Sequence, residues 1–208
     1  LDAALTDNQI PRHLAARGQE LLQSGPCQLI VLNPPDGTSG ERAIQRPSGK
    51  FLNNQSIVSR VQCGAHSILF AADIEVDGLR RLGEEGRRPV TVVKVPHHGA
   101  RSSLDREWLG QIRPQYAVIS VGRANSYGHP VPDVLEAYAN EDIRVLRTDH
   151  DGAIWITGRI STSEIAVARM RDILLHPVAP RHCLWRCEQE NWRRLWLQFR
   201  DRPDLPFV

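Results

Sequence analysis

Val90 to Val95 is a run dominated by β-branched apolar residues, with no alternation of polar and apolar positions. A strand of that kind is buried on both faces, and strands buried on both faces belong to sheets covered by helices. Tyr116 to Val121 repeats the pattern. Each run is followed by a segment with helical periodicity, Leu104 to Ile112 after the first and Pro130 to Asn140 after the second. Strand and helix therefore alternate through the middle of the chain, and such alternation predicts a layered α/β fold.

The flanking segments extend this pattern. Ser56 to Val61 and His66 to Ala72 read as a hairpin about the Cys63-Gly64 turn, and Glu75 to Leu82 as a helix ending in a Gly83/Gly86 region. Ile143 to Arg147 and Ala153 to Thr157 read as strands joined in a hairpin by Asp149-His150-Asp151-Gly152, with Asp-Gly turn chemistry. The order from residue 56 to 157 is β-β-α-β-α-β-α-β-β. Upstream, Ile10 to Gln23 is expected as a short helix, Gln28 to Leu32 as a strand and Asn33 to Gly49 as a long loop. Downstream, Ala166 to Leu175 is expected to be helical until Pro177 and Pro180 break it. Two units follow: 1–160, an α/β domain, and 161–208, a helical extension rich in Trp and Arg.

Composition narrows the function classes. The chain has 208 residues, enough for one domain with an appendage. It carries 26 Lys and Arg against 24 Asp and Glu, a formal charge of +2, so any nucleic-acid-binding surface has to be local. No run of about 18 apolar residues is present, which excludes a membrane-spanning helix within this sequence. Four cysteines at 27, 63, 183 and 187 are too few and too dispersed for a disulfide framework and leave the redox compartment open. Leu1 is not a start methionine, and the chain is expected to be a piece of a longer protein.

Ligands in α/β sheets bind at the carboxyl ends of strands. Three strands here end in ionisable or polar groups: one at Asp73, one at His97 and His98, one leading to Asn125, Tyr127 and His129. A carboxylate and imidazoles converging on one sheet edge suit Zn, Mn or Fe, and a bound metal would supply hydroxide near neutral pH. Ordinary roles compete at each position. Asp73 could cap the helix that follows, the His97-His98 doublet could be satisfied turn residues, and His129 could simply precede a helix. Arg101, Ser102 and Ser103 could meet a phosphate at a helix N-terminus, or Ser103 could be an N-cap for a helix starting at Leu104.

Several segments carry a family resemblance. Val93-Lys94-Val95-Pro96-His97-His98-Gly99, Ala117-Val118-Ile119-Ser120-Val121-Gly122-Arg123 and Tyr127-Gly128-His129-Pro130 resemble the distal half of the metallo-β-lactamase-like domain of ComEC-type DNA internalisation proteins. Asn53-Asn54-Gln55-Ser56-Ile57-Val58, Leu69-Phe70-Ala71-Ala72-Asp73-Ile74-Glu75 and Thr148-Asp149-His150-Asp151-Gly152-Ala153 fit in the same order, from about Gly25 to Thr157.

The resemblance implies an incomplete αββα sandwich and a metal-dependent phosphodiesterase, nuclease-like site acting on DNA. Asp73 and His97 would be metal ligands, with His98 as an alternative ligand or phosphate contact, and His129 a phosphate contact or proton donor. Asn54, Ser56, Arg101, Ser102, Asn125 and Tyr127 would line the site. Implied partners are DNA and the remainder of a bacterial inner-membrane channel.

Two departures stand out. Ala100 and Ala72 replace the family's usual Ser and Gly, and no His-x-His-x-Asp-His motif is present. That motif belongs to the proximal half of the fold, so Zn or Mn is expected to be weakly held or absent in this chain. A non-catalytic DNA-binding or scaffold module and a soluble hydrolase of another phosphoester are the rival expectations.

The Leu184 to Arg200 segment places Trp185, Trp192 and Trp196 at helical spacing among arginines. It could stack bases, lie at a membrane surface or pack back on the domain. His182, Cys183 and Cys187 could form a metal knuckle.

Overall fold

The computed structural model describes residues 14–35, 48–160 and 162–171. Its centre is a seven-stranded mixed sheet in the order β1 (Glu20–Ser24), β2 (Cys27–Asn33), β3 (Val58–Cys63), β4 (His66–Phe70), β5 (Val92–Lys94), β6 (Tyr116–Ile119) and β7 (Arg144–Arg147). Neighbours from β1 to β4 pair antiparallel, β1–β2 and β3–β4 through short turns and β2–β3 through a longer connection, and those from β4 to β7 pair parallel. The parallel crossovers carry α2 (Val76–Leu79), α3 (Arg106–Ile112) and α4 (Pro132–Asn140), while α1 (Gly49–Asn53) precedes β3. The chain is thus a mixed α/β structure, and the β-β-α-β-α-β-α-β order expected from residue 56 onward is present.

The core follows from the strand pattern. Leu69, Val93, Ala117 and Ile119 project from successive strands onto Leu79, Leu82, Trp108, Leu109, Ile112, Val134, Ala137 and Tyr138. Each large apolar side chain contributes roughly 1.5–3 kcal/mol when fully buried. Trp108 keeps its indole N–H satisfied by donating to the Gly86 carbonyl at 2.9 Å, so its burial leaves no unpaired donor. The helix α3 begins at Asp105, whose carboxylate accepts from the Glu107 and Trp108 amides. Ser103 is therefore not its N-cap; its hydroxyl donates to the carbonyls of Pro96 and Ala100.

Four sequence expectations are corrected. The described part of Ile10 to Gln23 is not helical: residues 14–19 lead into β1, an edge strand on β2. Local helical spacing of leucines lost here to strand pairing, with Leu22 opposite Leu29. Second, Asp149-His150-Asp151-Gly152 does not form a hairpin turn. It lies in a helical turn, α5 (Thr148–Asp151), that carries the chain from β7 out of the main sheet to β8 (Ile154–Gly158). Third, residues 166–169 belong to β9 (Ile165–Arg169), which pairs antiparallel with β8. This hairpin crosses residue 160, the expected boundary between the two units. Fourth, Asp73 does not cap α2. Its N-terminal amides are served by Asn54, whose side-chain oxygen accepts from the Glu75 and Gly78 N–H groups at 3.1 and 2.9 Å.

Cys27 and Cys63, directly opposed on β2 and β3, form a disulfide that closes 36 residues of sequence. Their separation in sequence concealed this pairing. Residues 10–13, most of the Asn33–Gly49 loop, the stretch to Leu175, the Trp and Arg segment and His182, Cys183 and Cys187 lie outside the described residues.

Candidate functional site

Two adjacent parallel strands deliver the site. β4 ends at Phe70 and the chain turns through Ala71-Ala72 to Asp73; β5 ends at Lys94 and the chain turns through Pro96 to His97 and His98. Three residues in these turns sit in the left-handed region, Ala72 at φ 48°, His97 at 46° and His98 at 54°. Non-glycine residues adopt that conformation at a cost, and such strain gathers where side chains have to be aimed. The Ala72 carbonyl offsets part of it by accepting from the His97 amide at 2.9 Å and from the Lys94 ammonium at 2.8 Å.

The two histidines face different partners. His98 Nδ1 lies on the Ser120 carbonyl at 2.5 Å, and its Nε2 lies 3.4 Å from Asp73 Oδ1. A carbonyl only accepts, so Nδ1 carries the hydrogen and Nε2 meets the carboxylate. His97 Nδ1 instead lies 3.6 Å from Glu75 Oε1 and 3.5 Å from the Ser102 hydroxyl. His129 stands edge-on to His97 with ring centroids 5.9 Å apart, and Tyr127 stacks on its other side at 6.0 Å. Asp73, His97, His98 and His129 therefore form one cluster at the carboxyl ends of the parallel strands.

The loop carrying His129 is held by backbone clamps. The Asn125 side chain accepts from the His129 N–H at 3.0 Å and donates to the His129 carbonyl at 2.9 Å. The Gly99 carbonyl accepts from Val131 at 3.0 Å, tying this loop to the histidine turn. Gly99 sits at φ 83°, and a Cβ there would lie 2.6 Å from the Pro130 side chain. On the opposite side, Thr148 Oγ1 accepts from the Val121 N–H at 2.7 Å and donates to the Val121 carbonyl, which fixes the strand end bearing Ser120.

Electrostatics are uneven across the cluster. Burial lowers the His129 pKa below its ordinary value, and the nearby His97 and His98 push the same way. Its Nδ1 is buried and has no hydrogen-bond partner. Lys94 is also held below its usual value by burial, against the pull of Asp73, whose Oδ1 lies 3.7 Å from its ammonium.

Of the expected site residues, Asp73, His97, His98, His129, Ser102, Asn125 and Tyr127 come together. Asn54 is 5% exposed, with its amide oxygen committed to the start of α2. The Ser56 carbonyl accepts from Asn33 at 2.8 Å. Arg101 forms an ion pair with Asp133. Glu75 and Lys94 touch the cluster and were not expected there. The sequence signal for Glu75, a carboxylate two residues after Asp73, is also what an ordinary first-turn glutamate looks like.

As a metal cradle, the cluster has suitable donor types, a carboxylate oxygen and imidazole nitrogens. Yet among the described residues no group of three or more His, Cys, Asp or Glu side chains is arranged to hold one ion. These residues do not by themselves fit a metal site.

No family model matches the chain. Among curated proteins, ComE operon protein 3 of Bacillus subtilis is 33% identical over 136 residues, 65% of this chain. Competence protein ComA of Neisseria gonorrhoeae is 36% identical over 104 residues, 49% of the chain. Recombination protein 2 of Haemophilus influenzae is 31% identical over 123 residues, 57% of the chain. Over the matched residues the chain is similar to ComEC-type competence proteins. It spans 15% to 16% of the length of these relatives. Among the described residues no helix is long and apolar enough to cross a membrane.

Proposed function

We propose that this chain is a segment of a membrane protein for DNA uptake, and that it contributes one rim of a metal-dependent phosphodiesterase site. The supporting observation is the meeting of Asp73 and His98 at 3.4 Å, beside His97 and His129, at the carboxyl ends of β4, β5 and β6. The remaining donors would come from outside this chain, in a metallo-β-lactamase-like sandwich of which the described sheet is the distal part. Within the rim, burial and the neighbouring His97 and His98 hold the His129 pKa below its ordinary value, which favours the neutral ring as a hydrogen-bond or proton acceptor, and Tyr127 stacks on that ring. The partners would be DNA and the rest of the channel protein. The Cys27–Cys63 disulfide supports placing the segment on an oxidising side of the membrane.

A non-catalytic DNA-binding or scaffold module is the second possibility. It is favoured by the lack of three converging donors among the described residues. One experiment separates the two: metal-dependent cleavage of single-stranded DNA by the full-length parent, with and without Asp73→Ala. Cleavage lost in the variant while DNA binding persists supports the phosphodiesterase. Unchanged cleavage removes Asp73 from the mechanism. Absence of cleavage in the unmodified parent, with transformation intact, supports the module.

A further inference from the structure

We propose that Glu75 is a positioning residue that fixes the tautomer of His97, placing the proton on Nδ1 and leaving Nε2 unprotonated beside His129. This rests on the proposed phosphodiesterase only for the use made of that nitrogen. The placement itself follows from the local geometry.

Glu75 is 7% exposed, unusual for a carboxylate at the start of a short surface helix. Its side chain is held in place: Oε1 accepts from the Asn53 side-chain amide at 2.8 Å. Its backbone is held as well, with the N–H donating to Asn54 at 3.1 Å. Two consecutive asparagines at the end of α1 thus lock the residue, and its carboxylate cannot swing to solvent without breaking the Asn53 bond. The same Oε1 lies 3.6 Å from His97 Nδ1. At 3.6 Å this is an electrostatic contact longer than a hydrogen bond, and because a carboxylate offers only acceptors it favours the tautomer with the hydrogen on the nitrogen turned toward it. A neutral imidazole protonated at Nδ1 has its lone pair at Nε2, the minor tautomer of a free histidine.

Ser102 adds to the assignment. Its hydroxyl is 3.5 Å from the same nitrogen and can accept from it. The His97 main chain is fixed separately, by its amide bond to the Ala72 carbonyl. His98 differs: its Nδ1 meets the Ser120 carbonyl and its Nε2 faces the Asp73 carboxylate, so both of its nitrogens face acceptors. Carboxylate–histidine pairs that orient a ring in this way are a recurrent device behind functional imidazoles.

The test is a long-range proton–nitrogen correlation spectrum of the 208-residue chain labelled with 15N-histidine, recorded at about pH 8, where imidazoles are neutral. The expected spectrum shows His97 protonated at Nδ1. In Glu75→Leu, the majority of His97 shifts to the Nε2-protonated form, while His98, bound to Ser120, stays as it was. An Nε2-protonated His97 in the unmodified chain overturns the proposal, and so does an unchanged His97 in Glu75→Leu. If that variant fails to fold, the unmodified spectrum decides alone. A full-length parent that cleaves no DNA, combined with an Nδ1-protonated His97 that responds to Glu75→Leu, sinks the phosphodiesterase and upholds Glu75.

Discussion

His98 Nε2 and Asp73 Oδ1 lie 3.4 Å apart, each at the end of a different parallel strand, and both side chains are nearly half exposed. Pairs this open to solvent contribute little to stability, typically below about 1 kcal/mol. Asp73→Asn is therefore expected to change the unfolding free energy of the chain by less than about 1 kcal/mol in urea titration. If the proposed phosphodiesterase site operates in DNA uptake, the same substitution in the full-length parent should lower transformation frequency by about 100-fold or more, the scale of losing a group that acts on the reacting atoms. A large stability loss would show that Asp73 serves the fold instead.

Gly99 joins the histidine turn to the loop that carries His129. Its φ of 83° costs any other residue about 1–2 kcal/mol. An added Cβ would also lie 2.6 Å from the Pro130 side chain, an overpacking worth about 1–3 kcal/mol. Gly99→Ala is expected to destabilise the chain by about 2–5 kcal/mol in chemical denaturation. A loss below about 1 kcal/mol would mean that the two loops are not packed against each other as described.

The legible and illegible parts of this molecule divide along a physical line. Val90 to Val95 and Tyr116 to Val121 announced buried parallel strands because burial on both faces writes itself into composition. Asp73, His97, His98 and His129 could be named because a sheet edge collects the residues that follow its strands. Their partners could not. That Asp73 meets His98, while His97 turns to Glu75, depends on backbone angles of 46° and 54° at two consecutive histidines, which residue identity does not encode. Long-range pairing also overrode local pattern at Leu22 and at Ala166 to Arg169, where strands replaced expected helices. The Cys27–Cys63 link belongs to the same class, since only the register of β2 on β3 brings the two residues opposite each other.

That link carries a stability prediction. It closes 36 residues, and restricting an unfolded loop of this length is worth about 4 kcal/mol in the chain-entropy model. Cys27→Ser with Cys63→Ser, or reduction with a strong thiol, should lower the unfolding free energy by about 2–4 kcal/mol. Equal urea midpoints for the oxidised and reduced chains would show that the pairing does not form in solution.

Asp149 gives a prediction in pH. Burial alone would raise its pKa, but hydrogen bonding and attraction from Arg147, with help from His150, hold it below the ordinary 3.8. A carboxyl depressed in the folded state contributes stability that is complete above its unfolded pKa and is lost as pH falls through the folded value. The stability gap between the unmodified chain and Asp149→Asn should therefore be full at about pH 6 and close progressively below about pH 4. A gap that persists unchanged at about pH 2.5 would show that the aspartate acts through shape, not charge. The site would register the change as well, since Thr148 beside it holds Val121 and thereby the Ser120 carbonyl that orients His98.

Metal retention follows from the incomplete donor set. Asp73 and His98 offer one oxygen and one nitrogen at a shared position, whereas tightly held Zn takes about four donors. The isolated chain, purified without chelator and passed through gel filtration, is expected to hold well under one equivalent of Zn or Mn by elemental analysis. Its melting temperature should not move when EDTA is added, because the core around Leu69, Val93, Ile119 and Trp108 and the Cys27–Cys63 link hold the fold without an ion. A full equivalent that survives filtration, or a fall in melting temperature with EDTA, would mean that this chain alone completes a metal site, with donors that the described residues do not supply.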